Sequence, residues 1–402
     1  MLNYLVLIGI NYQPRRSSGD KNFWVDIIQQ VSTRIDRITI LSIRQDAKQT
    51  ESFEINRCKI TIHYLRPKFL ESPDTKHTGK RLFWNGGAYP RGLGVIEKLL
   101  NVRSILRALN QIRDESPYDH IHLMDNLGFA NRLIATYVKT SVSVSAMAYQ
   151  GGKSNFIYNV FLKLSYSHSN LTVVPYSNCY KKMFVKIGLS IERICHIHWG
   201  VIPASDTTHQ TPATRSGEKP LILWTGYIQQ INRDDFMYAL QITQLAIQQG
   251  IQASFFFAFK PESFESGFEQ YHDPEKGIVV KSTTVQEFAE LREKISIMFS
   301  PVVGRSTILA PPLTWIEMMG NGVPVVTTNV PGADEAVVDG VTGYIANSDE
   351  SLVNALFKAV ENYGNMAESC KDHVKNHYNI ENSAKAYLQL WNELSAGKSV
   401  NA

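Results

Sequence analysis

"APPLTWIEMMGNGVPVVTTNVPGADEAVVDGVTGY", residues Ala310 to Tyr344, sets a helical stripe, a short apolar run and two glycine turns in quick succession. Pro311-Pro312 suits the first turn of a helix, where a missing N–H costs nothing. Leu313, Ile316 and Met319 recur at helical spacing, so one face is core. Asn321-Gly322 stops the helix. Val323 to Thr328 is a short apolar run suited to a buried parallel strand. Pro331-Gly332 then turns the chain into a second Gly-rich loop carrying Asp334 and Glu335. A helix start offers free N–H groups and a positive dipole end, so it can hold a phosphate. Glu317 lies about one turn in, an acceptor-only group suited to a pair of sugar hydroxyls. The plain alternative is a helix with one solvated glutamate.

The same grammar runs outward in both directions. In the first half, Tyr4–Ile10, Arg37–Ile43, Lys59–Leu65, His120–Met124, Val142–Ala148 and Leu171–Ser177 read as strands. Helical patterns stand among them, including Lys21–Ile35 and Gly94–Ile112. That alternation predicts a parallel, doubly wound sheet. Pro203–Pro220 is polar, rich in Ser, Thr and Pro, and reads as a linker. After it the pattern restarts: strands at Leu221–Tyr227, Ala253–Phe259 and Ser296–Pro301, helices at Asp234–Gly250 and Thr284–Ile295. Asn382–Gly397 is a last amphipathic helix. Two α/β domains in tandem follow, with ligands expected at the carboxyl ends of the strands, in a cleft between domains.

The 402 residues suffice for two or three domains with proper cores. No apolar run approaches the ~20 residues of a membrane span, and the apolar start lacks a basic leader and a cleavage site. The four cysteines are scattered without metal-type spacing and are expected to be reduced packing thiols. Together these features lead us to expect a cytoplasmic protein. Net charge is only +4, but residues 1–203 hold 27 Lys and Arg against 14 Asp and Glu, while the remainder holds 14 against 23. The basic half is suited to face something anionic: nucleic acid, a membrane surface or a phosphorylated acceptor. A solvated surface is the plainer reading. Ser154–Tyr166 is largely apolar and could touch lipid, though such a helix is more often core. No P-loop, dinucleotide fingerprint or Asp-x-Asp pair is present. His120/His122 and His196/His198 are His-x-His pairs, read on strands with both rings on one face; further zinc ligands at suitable spacing are lacking.

Taken in order, these pieces resemble the family-four retaining glycosyltransferases, whose fold is GT-B. Leu7–Val31 is similar to the family's first strand and small-residue turn, and Val173–Ile202 to the segment closing its first domain. "LILWTGYIQQINR" stands where the family has G-R-L-x-x-x-K-G, and Val323–Tyr344 resembles its most typical element. The tail looks like the helix that crosses back over the first domain. The resemblance implies two Rossmann-like doubly wound domains facing a cleft. Their expected bounds are an acceptor domain over 1–202, a linker over 203–220, a nucleotide-sugar domain over 221–380, and a crossover helix and tail over 381–402.

The ligand implied is a nucleoside diphosphate sugar, UDP-linked in the leading reading, with a saccharide or lipid-linked acceptor. Glu317 matches the second Glu of an E-x7-E motif and would hold the ribose. The phosphates would lie near Leu313 and Thr314, with Ser18 and Gly19 approaching from the first domain. Gly226 and Tyr227 stand at the strand Gly and the Arg after it; Asn232 replaces the motif Lys, with Arg233 next door. Arg233 is the candidate for phosphate charge, Arg305 a second one, Glu335 a further donor contact, and Asp125 the acceptor-side group. No metal or other cofactor is expected, and no nucleic-acid partner; contact with the anionic inner face of a membrane is. Leu309 stands where the motif's first Glu should be, and Pro311-Pro312 removes two N–H donors. These departures leave two rivals open: a degenerate protein that binds a partner or glycan, and a nucleotide-sugar epimerase.

Overall fold

The computed structural model describes residues 2–10, 19–43, 50–65, 95–124, 127, 129–146, 156–202, 219–226, 232–261, 267–303 and 310–397. The chain divides into two compact units. The first comprises 1–85, 91–200 and 380–402, the second 86–90 and 201–379.

The first unit opens β1 (Tyr4–Ile10), α1 (Gly19–Val31), β2 (Arg37–Ile43), β3 (Glu51–Ile55), β4 (Cys58–Leu65) and α2 (Val95–Glu115). It continues β5 (His120–Leu123), α3 (Phe129–Tyr137), β6 (Val142–Ala146), α4 (Phe156–Tyr166), β7 (Leu171–Pro175) and α5 (Asn178–Lys186). The strand order is β3-β4-β2-β1-β5-β6-β7. Every pairing is parallel except β3 with β4. β5, β6 and β7 are buried at every position, as strands covered on both faces must be. The order reverses between β1 and β5, which makes their carboxyl ends this sheet's switch point.

The second unit runs β8 (Leu221–Gly226), α6 (Asn232–Gln248), β9 (Ser254–Phe259), β10 (Ile278–Ser282), α7 (Val285–Arg292) and β11 (Ile297–Ser300). Then come α8 (Leu313–Gly320), β12 (Val325–Thr328), α9 (Ala333–Ala336), β13 (Gly343–Ala346) and the long α10 (Asp349–His377). Its six strands are all parallel, in the order β10-β9-β8-β11-β12-β13, with the switch point between β8 and β11. A glycine is required at 343: φ is 156°, and a Cβ there would stand 1.9 Å from the Val325 carbonyl oxygen.

The last helix, α11 (Ile380–Ser395), belongs to the first unit. It packs on α1 and β5 through an aromatic layer. Tyr387 lies 5.2 Å from Trp24 and 5.3 Å from His122, and Trp391 lies 5.4 Å from His122, ring centre to ring centre. The Leu2 N–H donates to Asn392 Oδ1 at 2.8 Å, closing α11 against the start of β1.

Several expectations need correction. Pro311-Pro312 precedes α8 rather than forming its first turn, and Pro312 is the N-cap. Asp334 and Glu335 lie on the short helix α9, not on an open loop. His196 and His198 lie outside the named strands, with ring centres 4.2 Å apart. Linker positions 203–218 lie outside the described residues. Among the described residues no helix is long and apolar enough to cross a membrane.

Candidate functional site

The carboxyl edge of the second sheet gathers most of the described candidate residues. β8 ends at Gly226, and the Trp224 indole, on the same strand face, folds over it. A Cβ at 226 would come within 2.5 Å of the indole's outer ring carbon. Trp224 is itself held by Phe236, Phe257 and Phe259, with ring centres 5.4–6.0 Å away. The strand end is therefore backed by an aromatic cluster.

α6 starts directly after this strand end in the topology. Arg233 and Asp234 are exposed in its first turn, and Asp235 is half-buried. Asp235 Oδ1 accepts the Val303 N–H at 2.8 Å, across the switch point. Burial is the main influence on this carboxyl and pushes it up to about 6; the Val303 N–H works the other way, and the neighbouring Asp234 charge adds to the rise.

Beyond β11 the chain enters α8. Trp315, Ile316, Met318 and Met319 face the core, so the helix is anchored on one side. Leu313, Thr314 and Glu317 are half-buried, at the start and one turn in. The far end is capped by Asn321, whose Nδ2 donates to the Glu317 carbonyl at 2.7 Å. α9 starts after β12, at the same edge. The Tyr378 hydroxyl donates to the Glu335 carbonyl at 2.5 Å, so this short helix is tied to the end of α10.

The structure thus brings Gly226, Arg233, Leu313, Thr314, Glu317 and Glu335 to one edge of one sheet. In the first unit, Gly19 begins α1 after β1, at that unit's own switch point. Ser18, Asp125, Tyr227 and Arg305 lie outside the described residues. The sequence reading passed over Asp235 and Thr328. Asp235 carries a visible signal, the Asp-Asp pair opening a helix after a strand, but its partner is 68 residues away.

The two His-x-His pairs divide. His120 and His122 are fully buried on β5 and are bonded to Ser141, Ser143 and Ser145 at 2.7–3.0 Å. Desolvation pushes His120 down to about 3 and His122 well below the ordinary range, so both rings are neutral and structural. His196 is pushed down to about 4, by burial first and by His198 second.

Residues 219–362 match the family described as Glycosyl transferases group 1. The second unit carries a group 1 glycosyl transferase domain. The candidate edge, from Gly226 through Glu335, lies wholly within it. No curated protein matches the chain by sequence. Among solved structures, sucrose-phosphate synthase of Thermosynechococcus elongatus superposes with a TM-score of 0.69 at 14% identity, covering 98% of this chain and 100% of its own. HepE of Anabaena, in complex with UDP and glucose, gives 0.62 at 11% identity, covering 96% and 99%. TarM of S. aureus, in complex with fondaparinux, α-GlcNAc-glycerol and UDP, gives 0.56 at 13%, covering 74% and 59%. The fold is GT-B, with the group 1 domain as its second Rossmann-like unit.

Proposed function

We propose that this glycosyltransferase moves a hexose, with retention of anomeric configuration, from a nucleoside diphosphate sugar to a saccharide or lipid-linked acceptor in polysaccharide or glycoconjugate synthesis. UDP is the proposed nucleotide. The observation that carries the reading is α8 within the group 1 domain: its start lies at the carboxyl edge beyond β11, and Glu317 stands one turn in. A helix start stabilises the charge that develops on a leaving diphosphate, and a carboxylate one turn in suits the ribose hydroxyls. HepE, described in complex with UDP-glucose, supports the choice of base.

In this reading Arg233 and Arg305 neutralise the diphosphate, and Leu313 and Thr314 supply backbone N–H groups. Gly226 and Tyr227 border the donor, and Glu335 contacts its sugar. Ser18 and Gly19 are the first unit's candidates for the donor, and Asp125 its candidate for the acceptor. The leaving diphosphate takes the proton of the acceptor hydroxyl, so catalysis rests on positioning and charge stabilisation without a metal. The basic first half suits an acceptor at the anionic inner face of a membrane. Leu309, Tyr227 and Asn232, at three donor positions of the family pattern, favour the second reading, a protein that has lost transfer and binds a partner or glycan.

Calorimetric titration with UDP, GDP, ADP and TDP tests both. Micromolar binding of one nucleotide, weakened by about 1–3 kcal/mol in Glu317→Ala, supports the transferase. A folded protein that binds none of the four would leave the binding-protein reading in its place.

A further inference from the structure

The backbone leaving β11 is held by side chains from two other elements. Thr327 Oγ1 donates to the Ser300 carbonyl at 2.8 Å. Thr328 Oγ1 accepts the Val302 N–H at 2.9 Å and donates to the Val302 carbonyl at 2.8 Å. Asp235 Oδ1 accepts the Val303 N–H at 2.8 Å. The two threonines end β12, on one side of β11; Asp235 begins the helix after β8, on the other. Four backbone groups between Ser300 and Val303 are fixed from both flanks of the strand.

A chain running from a strand into a surface loop ordinarily leaves such groups to solvent. Here a half-buried carboxylate is spent on one N–H, although burial opposes its charge. A negative group beside an anion site repels the ligand unless its charge is engaged elsewhere. Asp235 is thus unsuited to touch a diphosphate and well suited to hold the backbone beside one. An anion cradle made of N–H groups binds tightly only if ordered beforehand, since ordering it on binding costs affinity.

We propose that Asp235 and Thr328 are positioning residues: they fix the exit of β11 as a preformed wall of the nucleoside diphosphate subsite. The proposal rests on the nucleotide-sugar reading of this domain.

Full-length wild type, Asp235→Ala, Asp235→Asn and Thr328→Val are titrated with whichever of UDP, GDP, ADP and TDP the wild type selects. Hydrogen exchange at Val302 and Val303 is followed without nucleotide. Asp235→Ala and Thr328→Val should speed that exchange and weaken the nucleotide by roughly 10-fold. Asp235→Asn keeps an oxygen for the Val303 N–H and should stay within about 3-fold of wild type. Should Asp235→Ala not fold, Thr328→Val carries the test, because it exchanges a hydroxyl for a methyl of similar size. Faster exchange with unchanged affinity overturns the proposal and leaves the domain reading standing. Failure of Asn to rescue also overturns it, pointing to charge instead of backbone positioning. If the wild type binds no nucleotide, the domain reading falls and takes the proposal with it.

Discussion

At Gly226 one missing side chain makes room for an indole at a strand end. Trp224 and Gly226 share a strand face, and the indole occupies the volume that a Cβ at 226 would need. Gly226→Ala must displace a ring already wedged among Phe236, Phe257 and Phe259. Overpacking of that kind costs about 1–3 kcal/mol. The same substitution in a Trp224→Phe background should cost less, because the outer indole ring is gone. A double-mutant cycle by urea denaturation measures the coupling. An equal cost in both backgrounds would mean that the glycine serves the loop beyond it and not the indole. Glu317 is a different kind of residue. Its half-buried place on α8 follows from the face that Trp315, Ile316, Met318 and Met319 bury; Leu313, expected on the core stripe, lies one turn from Glu317 on the half-buried side instead.

Elements were legible in the amino-acid order wherever burial imposed a dense apolar run. β1, β2, β8 and β9 are of that kind, as is the stripe of α8. β3 was not, because "ESFEI" alternates on an edge with half its residues solvated. Its turn, Asn56-Arg57, also hides: both residues have positive φ, 52° and 70°, the pair of angles for which a hairpin would ordinarily use Asn-Gly. Arg57 holds a left-handed conformation that costs an ordinary residue about 1–2 kcal/mol. Arg57→Gly should therefore stabilise the first unit by a few tenths to about 1 kcal/mol, the gain reduced by glycine's greater freedom when unfolded. Thermal unfolding reads this directly, and a lowered midpoint would show that Arg57 makes a compensating contact. The candidate site was legible in its local parts, the helix start and its glutamate. Its supports were not, since the bonds of Asp235 to Val303 and of Tyr378 to Glu335 span 68 and 43 residues. No local periodicity encodes such partners.

At the scale of the molecule, the first unit carries a buried polar line. It runs from Ser141 through His120, Ser143, His122 and Ser145 to the Tyr387 hydroxyl on α11, each link 2.7–3.0 Å. A neutral imidazole donates from one nitrogen and accepts at the other, and the Ser143 hydroxyl between the rings, with one proton, can donate to only one of them. Protonating either ring would make it donate at both ends and bury a charge with no carboxylate among these partners. The pH dependence follows in sign. His120, His122 and His196 are all held below their ordinary pKa, two of them at about 3 and about 4. Below about pH 6.5 the unfolded chain therefore binds more protons than the folded one, and stability falls as pH drops. Asp26 and Asp235 oppose this: burial pushes both up to about 6, so between about pH 6 and 4 they offset two rings. One ring remains, worth at most about 1.4 kcal/mol per pH unit at the steepest. The unfolding midpoint should drop from pH 6.5 toward 4.5. His122→Asn, which carries no titratable ring, should lower the midpoint at pH 7.5 yet flatten its descent. A descent as steep as wild type would show that the acid lability arises outside this line.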